Sequence, residues 1–140
     1  MTETQIAHIR ENWGAVAPVA DQAAAIFYDT LFALNPSVKP MFATSDMTEQ
    51  GKKLMQMLAV VVKGLDRLET ILPAVEALGR RHGGYGVEDR HYDDVGAALI
   101  ATLGGALGTA FTAAHRDAWI EAYGLLASVM KQAAAEPIRA

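Results

Sequence analysis

Apolar residues recur every three to four positions along almost the whole chain. Ile6, Ile9, Trp13 and Val16 form a first stripe, and Ala24, Phe27, Tyr28, Leu31 and Phe32 a second. A third carries Gln50, Leu54, Met57 and Val61, with one polar member. Val75, Leu78 and His82 make the fourth, Tyr92, Val95, Leu99 and Leu103 the fifth, and Trp119, Tyr123, Leu126 and Met130 the last. This spacing puts each set on one face of a helix. No segment alternates as a half-buried strand does. The run Val60-Val61-Val62 is β-prone in isolation, but it lies inside a longer helical pattern and is predicted helical.

Punctuation sets the boundaries. Thr2 with Gln5 offers a capping box for the first helix, and Pro18 interrupts the pattern after it. The second helix runs to about Leu34, because the residue before Pro36 avoids helical geometry. Pro36 suits the first turn of a short helical piece ending near Phe42. Ala43 to Met47 reads as a loop, and Asp46 with Glu49 marks the next helix start. A short link follows Leu65. Gly83, Gly84 and Gly86 end the helix that carries His82. Glu88 to about Leu107 forms another helix, weakened at its end by Gly104, Gly105 and Gly108. Thr112 caps the last one, and Ala133 to Ala140 is predicted to fray. The expectation is one all-α domain over residues 1–140, a bundle of roughly six to eight helices.

Composition narrows the chemistry. Half of the 140 residues are hydrophobic (51%), enough for a packed core and against disorder. Twelve basic residues face sixteen acidic ones with no basic block, so nucleic acid is a poor partner. There is no cysteine, which removes disulfides, thiolate catalysis, iron–sulfur ligation and covalent haem attachment. The amino terminus lacks the features of a signal peptide, and the Leu54–Val62 stretch is too short to span a bilayer. A soluble cytoplasmic protein with no membrane partner is the expectation.

His82 stands out because its stripe aims an imidazole at the core. A neutral ring nitrogen is a good ligand for iron, zinc or copper, and is costly to bury alone. The residues by themselves leave two readings: a metal ligand, or a core histidine bonded to a backbone carbonyl. Tyr28, Phe42 and Gln50 give it a context. Gln50 is polar on an apolar stripe, Tyr28 puts a hydroxyl on an inner face, and Phe42 lies at a helix–loop corner. Each also has a plain reading, as core aromatics and as an exposed glutamine near a helix start.

The order Tyr28, Phe42, Gln50, His82 resembles the globin family, in particular bacterial single-domain globins and the globin part of flavohaemoglobins, with a likeness to neuroglobin around Leu78-Gly79-Arg80-Arg81-His82. Trp13, Phe27-Tyr28, Pro36, Leu54-Met55-Gln56, Tyr85-Gly86-Val87, Val95-Gly96 and Ala122-Tyr123-Gly124 extend it over nearly the whole chain. The resemblance implies a globin fold around a non-covalent haem b. It implies His82 as the iron ligand and Phe42 stacked on the porphyrin. Tyr28 and Gln50 would line the distal side, with Leu54 closing its wall. Val87 and Val95 would edge the slot, and Tyr92 would stand on the proximal side. Lys53 reads equally as helix surface or as a propionate partner, and Arg81 is a weaker candidate. His8, His91 and His115 read as surface or helix-end residues.

The implied function is reversible binding of oxygen and other diatomic gases, including nitric oxide and carbon monoxide, at five-coordinate iron. With no histidine near Gln50, a second imidazole ligand is not expected. The alternative is a nitric oxide dioxygenase fed by an external reductase. In flavohaemoglobins a glutamate of the last helix joins a tyrosine to polarise the proximal histidine. Tyr92 is suitably spaced for the tyrosine role, but the glutamate position falls at Ala134, and Glu136 is out of register. A haem-free signalling module is the third class, disfavoured by the presence of His82.

Overall fold

A computed structural model describes residues 1–84 and 87–135. The helices are α1 (Glu3–Val16), α2 (Ala20–Leu34), α3 (Met47–Lys63), α4 (Leu68–Gly84), α5 (Asp89–Leu107) and α6 (Ala113–Ala135). Short 3-10 turns at Ala17–Val19, Pro36–Phe42 and Gly108–Ala110 join them, and no strand occurs among the described residues. The expected all-α architecture is the one observed, and no helix among these residues is long and apolar enough to cross a membrane.

The caps follow the side chains. Thr2 Oγ1 accepts from the Gln5 backbone N–H at 3.1 Å while Gln5 Oε1 accepts from the Thr2 N–H at 2.9 Å, closing the box on α1. Asp46 Oδ1 accepts from the N–H groups of Thr48 and Glu49 and starts α3. At the other end of α3, Arg10 donates to the carbonyls of Val62 and Lys63, which otherwise lack helical partners. Two boundaries differ from the expectation. α4 continues past His82 through Gly83 and Gly84, and α6 runs to Ala135 with Ala133 buried, so the helix does not fray at Ala133. Residues 136–140 lie outside the described set.

α4 lies along α6, α2 crosses α5 and α3, and α1 packs on α6 and α3. The core between them is built from Ile9, Phe27, Leu31, Val61, Leu99 and Trp119. A polar pair within it was not anticipated. Asn12 is buried beside the first stripe while Trp13 is only partly so, and Asn12 Oδ1 accepts from Trp119 Nε1 at 3.1 Å. Asn12→Ala is expected to destabilise the protein by about 2 kcal/mol, since it strands a buried indole N–H and opens a small cavity. Urea denaturation measures it; a loss under about 0.5 kcal/mol, the surface-substitution range, contradicts the account.

This arrangement leaves α3 and α4 leaning on different neighbours. Among the described residues the two helices share little close packing. An interior void of about 20 Å³ among Ile9, Val61, Leu99 and Trp119 has room for no more than a water-sized guest and is wholly apolar.

Candidate functional site

The residues expected on the distal side build an aromatic wall. The Tyr28 ring meets Phe27 edge-on at 5.0 Å between centroids and Phe42 edge-on at 5.5 Å, and Phe32 lies 5.6 Å from Phe42. These are the offset geometries that aromatic pairs prefer. Pro36 makes this possible, because it stops α2 and turns the chain through Val38 so that Phe42 folds back beneath Tyr28. α3 closes on the same wall through Gly51. A side chain there would begin 3.0 Å from Ala24 Cβ, so glycine lets α3 approach α2 a few tenths of an ångström closer than a larger residue would. Gln50, next to Gly51, therefore reaches Tyr28. Burial pushes the Tyr28 phenol above its ordinary pKa, and a side-chain hydrogen bond with Gln50 pulls it part of the way back. Leu54, one turn along α3, is partly buried against the core.

α4 carries the other candidate, His82. His82 Nδ1 lies 2.8 Å from the Leu78 carbonyl oxygen, so Nδ1–H donates and the neutral ring keeps its lone pair on Nε2. Burial lowers the imidazole pKa, the Leu78 bond opposes that shift, and Arg81 adds to it. The backbone N–H of Val87 donates to the His82 carbonyl at 3.1 Å, which folds the chain back after α4. Val87 and Val95 are half-buried. The Tyr92 hydroxyl is buried with no hydrogen-bond partner among the described residues, and its phenol pKa is raised by burial and then by Asp89. Tyr123 Oη donates to the Tyr92 carbonyl at 2.5 Å and holds α5 to α6. Lys131 Nζ sits 5.5 Å from the Tyr92 ring centroid, and Ala134 abuts Gly83 beside His82.

The contacts thus bring Tyr28, Phe42 and Gln50 together, with Leu54 on the same helix as Gln50, and put Val87 against the carbonyl of His82. Lys53 and Arg81 are exposed, and no contact draws Lys53 toward the candidate site. Tyr85 and Gly86, part of the resemblance, lie outside the described residues. The other histidines need a correction. His91 and His115 stand at helix starts as expected, but both are buried, not on the surface. His91 Nδ1 accepts from the Glu88 N–H at 2.8 Å, which caps α5. His8 is half-buried with its ring 4.4 Å from that of His115. Phe32 and Gly51 were missed as builders of the site. Phe32 showed only as part of a stripe, and no periodicity signal distinguishes Gly51.

These features define an all-α protein with a phenol and an amide brought together by α2 and α3, and an imidazole oriented by a backbone carbonyl on α4. Comparison with known proteins narrows the class. Residues 25–130 match the family model for globins. A flavohemoprotein of Rhodopirellula baltica is 31% identical over 131 residues, covering 92% of this chain. The chain spans about a third of that relative's length (32%). A bacterial globin structure from Campylobacter jejuni superposes with a TM-score of 0.85 at 28% identity, covering 95% of this chain and 96% of the other. The chain belongs to the globin family, and its fold is the globin fold.

The family implies haem, and the residues present fit it. A neutral imidazole with its outer nitrogen fixed by a carbonyl is the usual state of a metal-ligating histidine.

Proposed function

We propose that the chain holds one non-covalent haem b between α3 and α4 and reversibly binds oxygen and other diatomic gases, nitric oxide and carbon monoxide among them. The observation that carries this reading is the His82–Leu78 bond at 2.8 Å, which prepares Nε2 as the ligand atom. When bound, haem supplies the iron at which the gas attaches. Phe42 would wedge the macrocycle, and Leu54, Val87 and Val95 would line its slot. Tyr92 would face the proximal side, and Lys53 is the candidate for a propionate. The sixth position is left to the gas, since His91 is committed to Glu88 and His8 and His115 sit on α1 and α6.

Tyr28 and Gln50 do the discriminating. A Gln50 amide donating to the Tyr28 oxygen, the sense in which Gln50 lowers the phenol's pKa, would free the Tyr28 O–H to donate toward the bound gas and would polarise it. A guest that carries partial negative charge is held by such donors more strongly than carbon monoxide is. Two hydrogen bonds, each about 0.5–1.5 kcal/mol net, slow oxygen release by about one to two orders of magnitude. Tight binding with slow release suits scavenging or chemistry better than delivery. Oxygen dissociation measured by stopped flow should quicken by about that factor in Tyr28→Phe combined with Gln50→Leu. Rates unchanged in both single variants and in the double variant sink the distal assignment.

A second reading is nitric oxide dioxygenase activity with electrons from a reductase outside this sequence, favoured by the flavohemoprotein relative. The proximal side argues against strong electron push from His82. Ala134 stands beside Gly83, and a lysine ammonium lies over Tyr92. Sustained nitrate production with a supplied reductase, well above autoxidation, would establish it.

A further inference from the structure

We propose that His8, Glu11 and His115 bind one zinc-class divalent cation between α1 and α6, at a site separate from that of Tyr28, Gln50 and His82. His8 and Glu11 are one turn apart on α1 and share a face, while His115 stands in the first turn of α6 opposite them. One ligand atom from each residue lies within 4.8 Å of the other two. The two rings approach to 4.4 Å at 52°, so they converge without stacking flat.

His115 carries the argument. It is buried, and its Nδ1 lies 2.6 Å from Thr112 Oγ1, an oxygen that already accepts from the His115 backbone N–H. With Nδ1–H as donor to that hydroxyl, the lone pair rests on Nε2. That Nε2 is buried without a hydrogen-bond partner among the described residues and faces Glu11 Oε1 at 3.5 Å. In that tautomer a lone pair faces a carboxylate oxygen; in the other, Thr112 Oγ1–H donates to Nδ1 and Nε2–H points at Glu11 across 3.5 Å, a long hydrogen bond. A proton would bridge those two atoms, but it gives no reason for a third donor, His8, to converge on them. A metal ion uses all three.

The donor set chooses the class of ion. Two imidazole nitrogens and one carboxylate oxygen suit zinc and its neighbours, and suit calcium or magnesium poorly. Three protein donors leave a fourth tetrahedral position to water. Donors of a tetrahedral zinc site stand about 3.4 Å apart for bonds of about 2.0–2.1 Å, close to the observed His115–Glu11 separation. The wider gap closes by rotation of His8, half-buried, and Glu11, whose side chain is 69% exposed. The frame itself is rigid: Asn12, beside Glu11, accepts from Trp119, one turn after His115.

Zinc titration of the protein as purified, by calorimetry, tests the proposal, with His8→Ala and Glu11→Gln as variants that leave the buried His115 in place. One zinc ion per chain is expected, with affinity at least about ten-fold weaker in each variant. Zinc should also raise the unfolding midpoint of the parent protein more than that of either variant, because it ties α1 to α6. No zinc uptake by the parent protein, or equal affinity in parent and variants, overturns the site. So does a titration in which magnesium competes at equal concentration.

Discussion

His82→Leu is expected to abolish stoichiometric haem uptake while leaving the helical fold intact. Leucine fills much of the imidazole's volume at a half-buried position, so packing of α4 on α6 should persist. What disappears is the one nitrogen whose lone pair the Leu78 carbonyl holds in place. An absorption spectrum after haem addition reads the outcome, with circular dichroism as the folding control. A second variant, His82→Gly, should regain coordination when imidazole is added to the solution. A His82→Leu protein with an unaltered Soret band and ligand spectrum refutes the assignment.

The same residue predicts a pH dependence. Burial lowers the His82 pKa, so the folded state binds its proton less readily than the unfolded chain does. The unfolded histidine titrates near about 6.5. Above that pH the ring is neutral in both states and its stabilising contribution is fully present. As pH falls below it, the unfolded chain takes up the proton first, and stability drains away through the depressed folded pKa. Denaturant titrations of the haem-free protein from neutral to mildly acid pH should show this loss, and His82→Leu should show less of it. Equal slopes in the two proteins contradict the burial argument.

Gly79→Ala should destabilise the protein by about 2 kcal/mol net, and Gly124→Ala, the same substitution, should stabilise it. At Gly79 a Cβ would lie 2.5 Å from the Met130 carbonyl oxygen and 2.6 Å from its Cα. These are backbone atoms of α6, so no rotamer change relieves the clash and a helix must move. Overpacking of this kind costs about 3 kcal/mol, against roughly 1 kcal/mol gained in helix propensity. At Gly124, within α6, a Cβ meets nothing within 4 Å, and only the propensity gain remains, about 0.5–1 kcal/mol. Thermal unfolding distinguishes the signs, at about 3–5 °C per kcal/mol for a domain of this size. Because Gly79 precedes His82 by one turn less a residue, the displaced α4 should also hold haem more weakly. Equal behaviour of the two glycines would remove the close-approach explanation.

The helices were legible because their signals are local. Thr2 with Gln5, Pro36 and Asp46 each act within a turn of themselves, and each sits where the sequence placed it. The stripe ending at His82 was legible for the same reason. Asn12 was passed over because a polar residue on a buried face has no reason to be there until its partner, Trp119, is known. His91 and His115 were read as surface or helix-end residues; they stand in the first turns of α5 and α6, but their burial was not legible. The pairing of Tyr28 with Gln50 and Phe42 was expected only through the family resemblance. Spacing alone left each with an ordinary alternative.

Helical periodicity, capping chemistry and the choice of imidazole, phenol and amide are written in the order of residues, since each depends on neighbours a few positions away. The tertiary structure alone decided that Gly51 and Gly79 are contact points between helices, that α3 and α4 share little close packing, and that His8, Glu11 and His115 converge. Those facts depend on distances between residues remote in sequence, which are settled only when the helices pack against one another.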